Sequence, residues 1–118
     1  AIEIEVGPEV LTGSTRLKAG TAQKMVLNMI STATMSRIGK TYENLMVDVQ
    51  QTNQKLVARA ERIVMQATGA PKEEVRKALD EARGSTKVAI VMLLAGVSAA
   101  VAESRLEQSG GYVRKAVI

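Results

Sequence analysis

The chain has no cysteine and no histidine. Without thiols it can build neither a disulfide framework nor a thiolate metal centre. Without imidazole it lacks the commonest zinc ligand and the usual general base, which leaves carboxylates as the acid-base groups available. No metal site is expected, and no cofactor is assigned. Aromatic residues are almost missing as well: there is no Phe, no Trp and only two Tyr. Any core must be assembled from Ala, Val, Ile, Leu and the six Met, a set that suits helices packed closely through small side chains. The longest apolar run, residues 88–97, is too short to span a bilayer, and no basic and apolar leader opens the chain. No membrane partner is expected, and a cytoplasmic location is the default. The first residue is Ala and a regular pattern is already under way there, which points to a piece of a longer protein.

What is present describes an ordinary folded polypeptide of 118 residues, 46% hydrophobic and 24% charged. That length suits one domain or slightly more. The net charge of +4 raises the question of nucleic acid. The cations do not form a run, however; they alternate with Glu and Asp, and there is little aromatic surface on which bases could stack. The charge reads as solvated helix faces, with no nucleic-acid partner.

Residues 1–6, AIEIEV, alternate strictly, with Ile2, Ile4 and Val6 on one side and Glu3 and Glu5 on the other, which predicts a strand. Residues 7–24, GPEVLTGSTRLKAGTAQK, follow as a turn leading into a helix. Gly7 and Gly13 permit tight turning, Pro8 fixes its own φ, and Ser14 or Thr15 is the expected N-cap of a helix over 14–38. The first turn of such a helix offers unpaired N–H groups, the positive end of a dipole, two hydroxyls, Arg16 and Lys18. That combination suits a phosphate or carboxylate. On chemistry alone an ordinary capped helix with a basic edge remains the plainer reading.

Further along, Met25, Val26, Met29, Ile30 and Ala33 recur at helical spacing, as a packed core or a dimer seam would require. Gly39 is placed to close this helix. Gly39, Lys40 and Thr41 imitate the end of a phosphate-binding loop, but Thr34 stands where its first glycine belongs and the stretch follows a helix, so nucleotide binding is rejected. Residues 43–51 read as a short β-prone connection in which Asp48 is a turn or capping residue. A second long helix is predicted over 52–68, ended by Gly69. Beyond it, Pro71 opens a short helix at its first helical position, stopped by Gly84. Ser85 caps a central apolar helix stopped by Gly96, and Ser98 caps a third that reaches residue 108. Residues 112–118 are expected to form a tail released by Gly110 and Gly111.

The ordered series GPEV, GSTRLKAGTAQK, LNM at 27–29, GK at 39–40, NLMVDV at 44–49 and KLVARA at 55–60 resembles the C-terminal part of the N-acetylmuramic acid 6-phosphate etherases. These are built on a sugar isomerase (SIS) domain and are related to the glucokinase regulatory protein. The resemblance implies a mainly α piece: a short N-terminal strand that is the last of an SIS-type α/β sheet, two long helices, and a UBA-like three-helix unit. It implies an SIS end over 1–69 and a small helical domain over 70–118. Its implied activity is cleavage of the D-lactyl ether of a phosphorylated amino sugar, giving N-acetylglucosamine 6-phosphate and D-lactate in cell-wall recycling. The family's catalytic glutamates precede the matching region, so no catalytic residue is assigned here and the piece alone is expected to be inactive. Ser14 and Thr15 carry over as substrate-binding positions, and a homodimer is the expected assembly. Two rivals are a non-catalytic phosphosugar regulator of the same fold and a helical interaction or dimerisation module.

Overall fold

The computed structural model describes residues 1–49 and 51–118. They divide into two compact units, Ala1–Thr34 and Met35–Ile118.

In the first unit the alternating residues 1–6 form no ladder. The predicted strand is not made, because a strand is stabilised by hydrogen bonds to a neighbour and this unit offers none. The helix α1, Leu17–Arg37, begins three residues later than its cap signals predict. It has no buried residue: Leu17, Met25, Leu27, Met29 and Ile30 are all at least half exposed. The Met stripe expected in a core is thus not covered by this chain. Apolar residues on more than one side of α1 leave it without the single stripe by which a surface helix docks.

The second unit takes in the last residues of α1 and closes them as Gly39 predicts. Gly39 adopts φ +72°, its amide donates to Ser36 O at 3.3 Å, and the Lys40 amide donates to Met35 O at 3.0 Å. These are the paired bonds of a Schellman end. A minimal antiparallel hairpin follows, β1 (Thr41–Tyr42) and β2 (Leu45–Met46), in the connection expected to be β-prone. Gln50, part of that same connection, lies outside the described residues. Asn53 then caps α2, Gln54–Thr68, by accepting from the Leu56 amide at 2.9 Å, and Gly69 ends it at φ +72°.

The helices α3 (Lys72–Glu81), α4 (Thr86–Ala95) and α5 (Ala99–Gln108) match the punctuation read from Pro, Ser and Gly. Pro71 sits one place earlier than expected, as the N-cap in an extended conformation, because its ψ of 155° already precedes the helical region. The 112–118 segment is not a free tail. It forms a sixth helix, α6 (Val113–Val117), held by burial of Val113 and Ala116. Two apolar side chains one turn apart suffice to dock so short a helix onto an existing core.

The core explains the order of these pieces. Helix α4 is apolar nearly all round and lies at the centre, touching α2, α3, α5 and α6. Ile90, Val91 and Ala89 are fully buried there, joined by Val64 from α2, Val75 from α3, Ala102 from α5 and Val47 from the loop after β2. The expected boundary at Gly69 therefore falls between α2 and α3, two helices that share one core. No aromatic ring is among the buried residues, and the packing is mostly Val, Ala and Ile, with Leu79, Met92 and Leu106. Side chains this small let helix axes approach closely, so that dispersion and burial together hold the unit.

Candidate functional site

The turn before α1 is where the sequence concentrates its anion-binding chemistry. Gly7 at φ +69° and Gly13 at φ +123° bend the chain twice, in backbone regions that side chains disfavour. These bends return residues 8 and 9 to the start of the helix. There the Glu9 carboxylate accepts from the Lys18 amide at 3.0 and 3.1 Å and from the Ala19 amide at 3.1 Å. The Lys18 ammonium donates to Pro8 O at 3.1 Å, tying the same turn from the side. Hydrogen bonds from the Lys18 amide, then the Ala19 amide, hold the Glu9 carboxyl below the usual carboxylate range.

The cap is therefore Glu9, and neither Ser14 nor Thr15 fills that role. Ser14 is exposed and the Thr15 hydroxyl donates to Leu11 O, so both belong to the irregular stretch that precedes Leu17. A serine or threonine caps from immediately before the first turn. Here the 13–16 stretch stays outside the helix, and a longer carboxylate reaches the amides from nine residues away. The Arg16 guanidinium donates to Gln23 Oε1 at 3.1 Å and so lies along the first turns of α1. The structure thus brings together Glu9, Lys18 and the helix amides, and leaves Ser14 exposed.

Sequence reasoning located the anion-seeking helix end but missed the residue that occupies it. The available signal was the acid directly after Gly-Pro, since a carboxylate near a helix N-terminus is favoured by the unpaired amides and by the dipole. A separation of nine positions from Lys18 puts it beyond the reach of any local capping rule.

The other ionic contacts are structural. Lys40 and Asp48 meet at 2.6 Å, and a hydrogen bond from that ammonium depresses the Asp48 carboxyl. Glu61 receives Arg76 at 2.7 Å and Lys72 at 3.7 Å, fastening α3 to α2. Among the described residues no cluster of three carboxylates could hold a metal ion. No single helix among them is long and apolar enough to cross a membrane.

No family model matches the chain. Individual relatives match it closely. It is 61% identical over 117 residues to an N-acetylmuramic acid 6-phosphate etherase of Geobacillus thermodenitrificans, covering 99% of this chain and 40% of the relative. The corresponding protein of Mycolicibacterium smegmatis is 62% identical, with 99% of this chain and 39% of the relative covered. N-acetylmuramic acid 6-phosphate etherase 2 of Lactiplantibacillus plantarum is 60% identical over 98% of this chain and 39% of its own length. The chain spans about two-fifths of the length of the curated relatives that it matches. Identity at this level across 117 residues, the Glu9 turn and the helical core included, makes the chain similar in sequence to a segment of about two-fifths of the length of N-acetylmuramic acid 6-phosphate etherases.

Proposed function

We propose that this chain is the C-terminal part of an enzyme that cleaves the D-lactyl ether of N-acetylmuramic acid 6-phosphate, with N-acetylglucosamine 6-phosphate and D-lactate as products. The observation that carries the reading is identity of 56 to 62% to etherases over 99% of the chain, against about two-fifths of theirs. In this reading the carboxylates that remove and return protons lie in the remaining part of the protein. The segment described here contributes the end of the sugar isomerase domain and a helical unit resembling a UBA domain. Residues 1–6 become the last strand of the sheet once neighbouring strands are supplied, and Ser14 and Thr15 face the substrate at its carboxyl end, where open α/β sheets bind ligands.

Two features of the first unit support this placement. Helix α1 exposes apolar residues along its whole length, as an element does when its packing partners belong to other parts of a larger domain or to a second subunit. The Glu9 carboxylate, bonded to the first-turn amides of α1, holds the 7–13 loop against the helix, and Ser14 beside it is exposed. A homodimer that covers the remaining apolar surface of α1 belongs to the same reading.

The test is D-lactate release from N-acetylmuramic acid 6-phosphate, measured in parallel for the longest gene product containing these residues and for the 118-residue chain. Release by the longer product alone is the expected result. Release by neither overturns the etherase reading in favour of a phosphosugar regulator, and release by the short chain overturns the placement of the catalytic carboxylates.

A further inference from the structure

The chain contains a second Gly-Ser-Thr-cation run. Gly13, Ser14, Thr15 and Arg16 have a counterpart in Gly84, Ser85, Thr86 and Lys87. The two are built differently. At the first, Glu9 fills the helix amides. At the second, Arg83 and Gly84 both take left-handed backbone angles, φ +51° and +81°, and turn the chain directly into α4. Ser85 is a true N-cap there, its hydroxyl accepting from the Val88 amide at 3.4 Å and its carbonyl from the Ala89 amide at 3.0 Å. The amides of Thr86 and Lys87 come before the first residue that can bond back within the helix, so they point out of its end.

A cavity of about 380 Å³ opens at this end of α4, lined among others by Asp48, Gln51, Arg83, Ser85, Thr86 and Lys87. Its polar groups are already oriented. Gln51 Nε2 donates to Gly84 O at 3.0 Å and the Lys87 ammonium donates to Gly111 O at 3.1 Å, which leaves each with hydrogens to spare. Asp48 is the one carboxylate in the lining, and its charge is met by Lys40 at 2.6 Å. Arg83 and Lys87, the latter also acting on the Asp48 carboxylate, line the cavity together with the positive end of the α4 dipole.

Thr86 provides an independent observation. It is 2% exposed, and its Oγ1 is the one buried side-chain polar atom among the described residues with no hydrogen-bond partner. Thr86 opens α4 and so has no preceding helical turn whose carbonyl could accept its hydroxyl, as Val64 O accepts that of Thr68 at 2.7 Å. A buried hydroxyl left unpaired beside an electropositive cavity is the group that a bound anion would complete.

We propose that the 84–87 turn binds a phosphate dianion, free or carried on a small monoester, through the amides of Thr86 and Lys87, the Thr86 hydroxyl and the Lys87 and Arg83 side chains. The proposal does not depend on the etherase reading. It rests on α4, the core helix, and on groups that all lie within the second compact unit.

The test is a titration of the isotope-labelled chain with inorganic phosphate, following backbone amide resonances at constant ionic strength and with chloride as control. A second arm uses N-acetylglucosamine 6-phosphate. Saturating shifts are expected at Ser85, Thr86 and Lys87. Lys87→Gln should weaken the phosphate response about tenfold or more, as loss of a charge-assisted bond does. Thr86→Val, which keeps the side-chain shape, should weaken it to a smaller degree. Tighter binding of the sugar phosphate would identify a monoester as the ligand, and equal binding would identify the phosphate group alone; both support the site. Absence of shifts at these three amides, shifts centred instead on Lys18 and Ala19, or a response unchanged in Lys87→Gln would each overturn it.

Discussion

Replacing Thr86 by Val should make the protein more stable when no phosphate is present. An unpaired buried hydroxyl forfeits its hydration with nothing in return, a cost of about 1–3 kcal/mol. Thr86 is 2% exposed and its Oγ1 has no partner among the described residues, so its environment meets that condition. Valine has nearly the same shape, fits the same volume without a cavity, and replaces the hydroxyl with a methyl worth roughly 0.8 kcal/mol when buried. Part of this gain is lost because the denatured chain is not fully solvated, which leaves a net stabilisation of about 1–2 kcal/mol. For a unit of this size that corresponds to a rise in Tm of roughly 5–10 °C. Thermal and urea unfolding followed by far-ultraviolet circular dichroism in phosphate-free buffer would measure it. Thr68→Val is the internal control, because the Thr68 hydroxyl donates to Val64 O and accepts from the Ala70 amide at 3.2 Å. That variant should lose about 1 kcal/mol. If Thr86→Val lowers Tm as Thr68→Val does, the Thr86 hydroxyl is satisfied in solution and the reasoning fails, along with one support of the phosphate site.

Further outcomes follow from the same structure. Ile90 is fully buried at the centre of α4, so Ile90→Ala should cost about 2–5 kcal/mol in urea unfolding; a loss under ~1 kcal/mol would mean that the core collapses into the space. Gly39→Ala adds a methyl 3.0 Å from Gly111 O at a residue held at φ +72°, and backbone at that distance cannot yield cheaply. Its expected cost is about 2 kcal/mol or more, against near neutrality if the α1 end is free to move. The Glu9 carboxyl is held below its ordinary value by the Lys18 and Ala19 amides, so its contribution is present above the ordinary carboxylate range and is lost as pH falls through the depressed value. Nuclear magnetic resonance should show the Lys18 and Ala19 amides shifting with pH in that acid window, and Glu9→Gln should abolish the shift. Persistence of the shift in Glu9→Gln would remove Glu9 as the cap.

The helical half of the protein was legible because its signals are local. Gly69, Gly96 and Gly39 end helices through backbone angles that glycine adopts freely, and Ser85 caps α4 from the adjoining position. The apolarity of α4 states correctly which helix is central. Motif order alone pointed to the etherases that the chain matches over 99% of its length.

What only the tertiary structure decided depends on residues far apart in sequence. Glu9 caps α1 because two glycine bends carry it back to Lys18 and Ala19, and no spacing rule spans nine residues of turn. Residues 112–118 are helical because Val113 and Ala116 find a prepared core; five residues have too little intrinsic helicity to show it alone. The alternation of residues 1–6 predicts a buried face, but alternation supplies only side chains, and a strand also needs hydrogen-bonding neighbours that these residues do not contain. The unpaired Thr86 hydroxyl is likewise a tertiary fact. Its sequence context is an ordinary helix start, and only the tertiary packing around α4 buries that oxygen without a partner among the described residues.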